Sequence, residues 1–280
     1  MRLCGVAIAV TAILAPSLTY GADLEVFKAE QPTIYVQNQF LWGGVYVGGF
    51  LGGGWGTANW GASSIVVNTP SGSAVDVASL PVLHVNVPIS GFLGGGRVGA
   101  NYQTGPFVFG FEGDFTGMVL KGHTSTTFSV TDKASGVTFT GTSAHRTTAD
   151  WATTFTGRFG YTFDRVLAYG KVGVAVEQDG DTIVSIATPI PSGTATTVSG
   201  AGTATRYGWT AGAGFEYAFD KHWSGFVEYD HLGFLSQLVN MNPQAVPPLP
   251  SFLPFGITVT TTRNIQLNID RVIAGANYRF

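Results

Sequence analysis

The chain is poor in cysteine, in charge and in long apolar runs. Its one cysteine among 280 residues, Cys4, lies in a leader expected to be removed, so no disulfide or thiol chemistry is expected afterwards. Charged residues make up 11%, against about a quarter in a soluble domain. A formal net charge of −3 gives no electrostatic footprint for nucleic acid. Beyond residue 22 no apolar run approaches the roughly 20 residues of a spanning helix. What is plentiful is glycine, 39 residues, together with 45% hydrophobic and 13% aromatic residues. That aromatic share argues against disorder. A membrane protein without spanning helices has to be a closed barrel, because only closure satisfies every backbone group in lipid.

Met1-Arg2 and the apolar stretch Leu3 to Ala15 read as the n- and h-regions of a signal peptide. The small residues Thr19, Gly21 and Ala22 suit cleavage after Gly21 or Ala22, as in a secreted precursor. The expected organisation is a signal peptide over 1–22, a periplasmic segment over 23–41 and a barrel over 42–280.

The barrel reading rests on a refrain. Gly99 to Tyr102, Gly160 to Phe163, Glu216 to Phe219 and Asn277 to Phe280 each close a glycine-rich alternating segment. Eight strands follow from period-two alternation bounded by turn residues: Gly43–Trp55, Ser90–Tyr102, Phe107–Met118, Trp151–Phe163, Val166–Glu177, Arg206–Phe219, Trp223–Phe234 and Asn264–Phe280. Short turns at 103–106, 164–165 and 220–222 alternate with long, Thr-rich connections at 58–89, 119–150, 178–205 and 235–263. This is the pattern of an all-β, eight-stranded antiparallel transmembrane barrel, with turns in the periplasm and loops outside. The place expected for it is the outer membrane, in contact with lipid and lipopolysaccharide.

Facing supports this reading. Phe107, Phe109, Phe111 and Phe115 share one parity and Glu112 and Asp114 the other; Phe155, Phe159 and Tyr161 likewise oppose Arg158. Aromatic parity is expected on lipid and charge inside; a soluble sandwich would reverse this. Two aromatic girdles are expected, one with Trp42, Tyr102, Phe107, Phe163, Phe219, Trp223, Tyr278 and Phe280, the other with Trp55, Trp60, Trp151, Tyr207 and Phe234. Strand one is apolar on both faces, and the last strand changes phase at Asp270-Arg271, where a bulge or rim is expected.

Inward parity gathers Arg97, Arg158, Lys171, Arg206, Arg271 and Arg279 against Glu112, Asp114, Glu177, Glu216, Glu228 and Asp230, six against six. Eight strands leave an interior just wide enough for side chains, so these charges are expected to pair as a plug. Inward Gly48, Gly52, Gly95 and Gly99 are expected to leave some room for water, which keeps a narrow channel as the alternative. Gly94 to Gly99 matches a G-x-G-x-x-G pattern, but no βαβ unit surrounds it. His84, His123 and His145 fall in loops, and Asp230 and His231 point to opposite faces. No catalytic, cofactor or metal site is expected, and no enzyme activity.

Trp42-Gly-Gly-Val-Tyr46-Val-Gly48 and the terminal Gly275-Ala-Asn-Tyr278-Arg-Phe280 resemble the small outer-membrane β-barrel proteins of alphaproteobacteria, the porin-like or OmpA-like barrels. Ala22-Asp23-Leu24 matches the start of their mature chains. The resemblance implies a surface protein supporting envelope integrity, with haemin or host-factor binding among some relatives and no catalytic motif. It also implies that Tyr278 and Phe280 signal to the outer-membrane assembly machinery. A loop-based receptor for a ligand such as haemin or a host factor is the third reading beside the structural protein and the narrow channel, and no residue names that ligand.

Overall fold

The computed structural model describes residues 40–68, 74–76, 84–131, 138–190, 195–241, 244–246 and 258–280. The expected signal peptide and most of the segment 23–41 lie outside these residues. The described residues belong to one compact unit, Gln39–Phe280, which carries the fold.

Its strands are β1 (Gly44–Asn68), β2 (Ala74–Asp76), β3 (Val85–Thr104), β4 (Phe107–Thr131), β5 (Thr138–Phe163), β6 (Val166–Ile190), β7 (Thr196–Ala218), β8 (Trp223–Phe234), β9 (Gln237–Met241), β10 (Gln244–Val246) and β11 (Thr258–Arg279). Eight of them form an antiparallel ring in the order β1, β3, β4, β5, β6, β7, β8, β11, closed by pairing of β11 with β1. The three short strands add to β1, β11 and β7. Among the described residues no helix is long and apolar enough to cross a membrane.

Closure sets the tilt. Hydrogen-bonded partners lead from Phe111 through Gly157, Val172, Ala211, His231, Asp270, Trp55 and Ser90 to Lys121, ten residues further along the starting strand. Such a stagger over eight strands tilts them by roughly 40–45° from the axis. An eight-stranded interior is just wide enough for its own side chains to fill.

The three short turns are two to four residues, as read from the sequence. Gly105 and Asp164 adopt φ of 57° and 54°, a left-handed conformation that Gly takes freely and Asp tolerates. The four long connections differ from the expectation. Most of their residues continue the strands, so β4, β5, β6 and β7 run to 23–26 residues. The Thr-rich sequences there stay paired because β-branched residues suit a pleated ribbon and cross-strand Thr pairs support it.

The wall has two faces. Phe111 is 67% exposed on the outside while neighbouring Glu112 is 1% exposed inside. In β1 the ambiguity resolves with Tyr46 and Phe50 inward and Leu51 outward. Asp270 faces outward without a bulge, since the register of β11 with β1 and β8 is unbroken there. Its carboxylate accepts hydrogen bonds from Tyr229 at 2.6 Å and pairs with His231 at 2.8 Å on the outer wall. Three aromatics assigned to the girdles are instead inside: Trp42, Trp60 and Phe234 are buried. They face the lumen because their parity matches Tyr46 and Arg206 rather than the lipid-facing set.

Candidate functional site: the closed lumen

The lumen is layered along its axis. Nearest the short turns, Trp42, Val108, Leu167, Tyr169 and Ala218 form an apolar cluster with Phe40 packed against it. Next comes a charged layer, then a larger apolar cluster that includes Phe50, Leu93, Met118, Leu120, Leu232, Ile269 and Ile273. A second polar group lies beyond it, toward the long hairpins.

The charged layer is one unbroken chain of ten alternating charges. It runs Asp114, Arg271, Asp230, Lys171, Glu228, Arg97, Glu112, Arg158, Glu216, Arg279, with successive N–O separations from 2.5 to 3.7 Å. Five cations meet five carboxylates, so the layer is neutral. Hydroxyls and an amide take up further lone pairs. Tyr46 donates to Glu112 and Tyr169 to Glu228, each at 2.6 Å, and Asn277 donates to Glu216 at 2.9 Å. The Arg97 guanidinium lies 3.2 Å from the centroid of the Phe226 ring and that of Arg158 3.8 Å from Tyr169. Desolvated ions persist only with such dense pairing, because each is costly to bury alone.

Alternation explains why these groups meet. Arg97, Glu112, Arg158, Lys171, Glu216, Glu228 and Arg271 hold inward positions of seven different ring strands, and the stagger brings them to similar depth. The inward glycines provide the volume. A Cβ at Gly99 would collide with the Tyr46 ring, and one at Gly48 with the Asn277 side chain. Gly95 and Gly52 face Phe50 and Ile273 in the same way. Each of these four glycines therefore faces a neighbouring side chain closely enough that a methyl group would not fit.

Glu177 and Arg206 are not in this network. They belong to the outer polar group, where Arg206 meets Glu177 at 3.3 Å, Asp179 at 2.7 Å and Asp181 at 3.3 Å. Asp181 also accepts from Thr147 at 2.8 Å, and Trp60 reaches across from β1 to donate to Thr147 at 3.0 Å. Three carboxylates share one guanidinium here. Buried His145 stands edge-on to Trp60 with ring centroids 5.0 Å apart, and Arg263 is buried at the same end. Sequence reading placed Asp179, Asp181, His145 and Arg263 in connections or left them unassigned. The alternation of Glu177, Asp179, Asp181 and Ile183 was the signal that β6 continues.

Tyr278 and Phe280 sit at the turn end of β11. Phe280 is exposed, its backbone N–H donates to Val45 O at 3.0 Å, and its ring stands edge-on to Tyr278. Neither side chain joins the charged chain. Among the described residues no group of His, Cys, Asp and Glu is arranged to hold a metal ion.

An eight-stranded ring, apolar outside and charge-paired inside, defines an outer-membrane β-barrel. The chain belongs to the outer membrane protein beta-barrel domain family, whose model matches residues 32–280, and its place is the outer membrane. It is 29% identical to the 31 kDa outer-membrane immunogenic proteins of Brucella melitensis and Brucella suis, over 74% of this chain and 78% of each relative. Similar solved structures include Ail of Yersinia pestis in complex with the heparin analogue sucrose octasulfate (12% identity, TM-score 0.30, covering 83% of this chain and 99% of that one). The outer membrane protease OmpT of Escherichia coli is similar at 9% identity and TM-score 0.43, covering 85% and 97%. OprG of Pseudomonas aeruginosa is similar at 11% identity and TM-score 0.36, covering 85% and 96%.

Proposed function

We propose that this protein is a structural and surface-exposed barrel of the outer membrane rather than a pore or an enzyme. The observation that supports it most is the neutral ten-charge chain held between two apolar layers. An open pore needs a continuous wet path, and a lumen of this width is filled by its own side chains. The polar network serves as a rigid plug that locks the register of seven strands together. The paired hairpins beyond the membrane then present Thr-rich surface to the outside, and the word immunogenic in the relatives' name is in keeping with such exposure. Tyr278 and Phe280 are proposed as the signal read by the assembly machinery, since their outward, turn-end position leaves them accessible.

Planar-bilayer recording of the refolded, heat-modifiable protein tests the plug. Silence from correctly folded protein is the expected result. Reproducible conductance steps that shift on Glu216→Gln would sink it and put a narrow channel in its place.

A further inference from the structure

The described strands bury seven lysines and arginines in the lumen: Arg97, Arg158, Lys171, Arg206, Arg263, Arg271 and Arg279. Six of them meet a carboxylate, with closest N–O separations between 2.5 and 3.6 Å. Arg263 meets none among the described residues. It is 3% exposed, and its Nε and Nη1 have no hydrogen-bond partner. The three carboxylates at this end, Glu177, Asp179 and Asp181, gather on Arg206 instead. A guanidinium keeps its proton and offers donors only. Burial pushes the Arg263 pKa down, and no neighbouring acid is set against it.

The group on which its charge bears is His145. Arg263 stands on β11, paired with Ala62 of β1 and Val239 of β9. His145 stands on β5, paired with Thr124 of β4 and Ile183 of β6. β5 and β11 lie four places apart in the ring of eight, so the two side chains enter the lumen from opposite walls. His145 is fully buried, and its Nδ1 has no hydrogen-bond partner. Burial, and then the Arg263 charge, hold its pKa down at about 4, so the ring is neutral at pH 7. Its Nε2 lies 3.2 Å from Ser143 Oγ, itself 2.8 Å from Ser185 Oγ. With Ser143 donating to Nε2, the ring proton sits on Nδ1. Trp60, Ile183, Val239 and Ile265 around them are buried and apolar. His145 lies six residues beyond Trp151 along β5, roughly 15 Å further out on a tilted strand. The headgroup zone is only about 5–8 Å deep, so this end of the lumen stands outside the membrane.

We propose that Arg263 and His145 form a binding site, at the outer end of the lumen, for one small monovalent anion of the halide class taken from the external medium. Charge sets the class. One guanidinium beside a neutral imidazole is balanced by a single negative charge, and a buried cation without a counter-charge is costly. A water molecule would accept the free N–H groups and leave that charge standing. A divalent oxyanion would overshoot it and would have to give up far more hydration in apolar surroundings. The Arg263 Nε–H and Nη1–H and the His145 Nδ1–H supply donors from two sides, and charge-assisted bonds of this kind are the strong ones. The Ser185–Ser143 relay is a positioning device, since it fixes which ring nitrogen donates. The site is independent of whether the lumen conducts.

The test is equilibrium dialysis of the folded full-length protein, in a non-ionic detergent, against radioactive chloride at an ionic strength held constant with bulky gluconate. The parent is expected to saturate at one chloride per barrel and to release it to bromide but not to sulfate. At the parent's half-saturation, Arg263→Gln is expected to hold at least about tenfold less, the scale of a lost hydrogen bond to a charged group. His145→Phe keeps a ring against Trp60 without the donor and is expected to hold severalfold less. The turn-end control Arg165→Gln/Lys221→Gln is expected to bind as the parent does. Heat-modifiable mobility establishes that each variant is folded. The proposal is overturned if the folded parent takes up no saturable chloride, or if Arg263→Gln or the urea-unfolded chain takes up as much. Displacement by sulfate as effective as that by bromide would also overturn it, since it would mean a solvated surface charge.

Discussion

Arg271 on β11 crosses the lumen to Asp114 on β4, with Nη2 at 2.8 Å from Oδ2, while its Nε lies 2.8 Å from Asp230 on β8. The strands of Arg271 and Asp114 are separated in the ring by β1 and β3. One guanidinium thus ties together strands that share no backbone hydrogen bond.

Removing that tie strands two carboxylates. Arg271→Met is expected to lower stability by about 3–5 kcal/mol, the usual result of breaking a buried pair from one side. Arg271→Lys is expected to recover only part, because an ammonium cannot bridge both acids with a planar fork. The urea midpoint of the refolded protein, followed by the gel shift between folded and unfolded forms, checks this. An unchanged midpoint for Arg271→Met would mean the lumen is wet there.

Two neighbouring glycines are expected to behave oppositely. Gly99→Ala places a methyl in the Tyr46 ring, whereas at Gly96 the nearest atom, Gly48 O, is 3.5 Å from an added Cβ. Gly99→Ala is therefore expected to reduce the heat-modifiable fraction severalfold, and Gly96→Ala to leave it unchanged. Tyr46→Ala combined with Gly99→Ala is expected to restore assembly only in part, since the clash with the ring is removed while the Phe111 carbonyl stays 2.8 Å from the added Cβ and a cavity is left.

The turn between β7 and β8 carries a pH-dependent element. Backbone N–H groups of Trp223 and His222 donate to the Asp220 carboxylate at 2.8 Å each, and these bonds hold its pKa below the usual aspartate value. A depressed folded pKa means stability present above the ordinary aspartate pKa of about 3.9 and lost as pH falls below it. Asp220→Asn is expected to be less stable than the parent at pH 7, with the gap narrowing as the pH is taken down to 2. Comparing the two unfolding curves at both values isolates this carboxylate from the others.

Deleting Phe280 separates assembly from stability. Its ring contacts Tyr278 and lies outside the lumen network. The deletion is expected to leave the in vitro refolded barrel nearly as stable as the parent while lowering the amount reaching the outer membrane in cells several-fold. Parent-like amounts in the membrane would show that Phe280 is no assembly signal.

Much of this protein was legible as sequence. Strict two-residue alternation sorted lipid-facing Phe111 from lumen-facing Glu112, because a pleated strand leaves no other choice. The short turns announced themselves through Gly105-Pro106 and Asp164, whose backbone preferences are local. Ten of the twelve charges assigned to the lumen by parity fall in a single chain. What the sequence could not say was who meets whom. The partition of Glu177 and Arg206 into a separate cluster depends on the ten-residue stagger, a property of the closed ring and of no one strand. An aromatic near a strand end, such as Trp42, Trp60 or Phe234, looks the same in sequence whether it turns outward to lipid or inward to the lumen. The surroundings of the inward glycines are hidden for a similar reason. A glycine on the inner face is empty space only until the tertiary structure places Tyr46, Phe50 or Asn277 across from it.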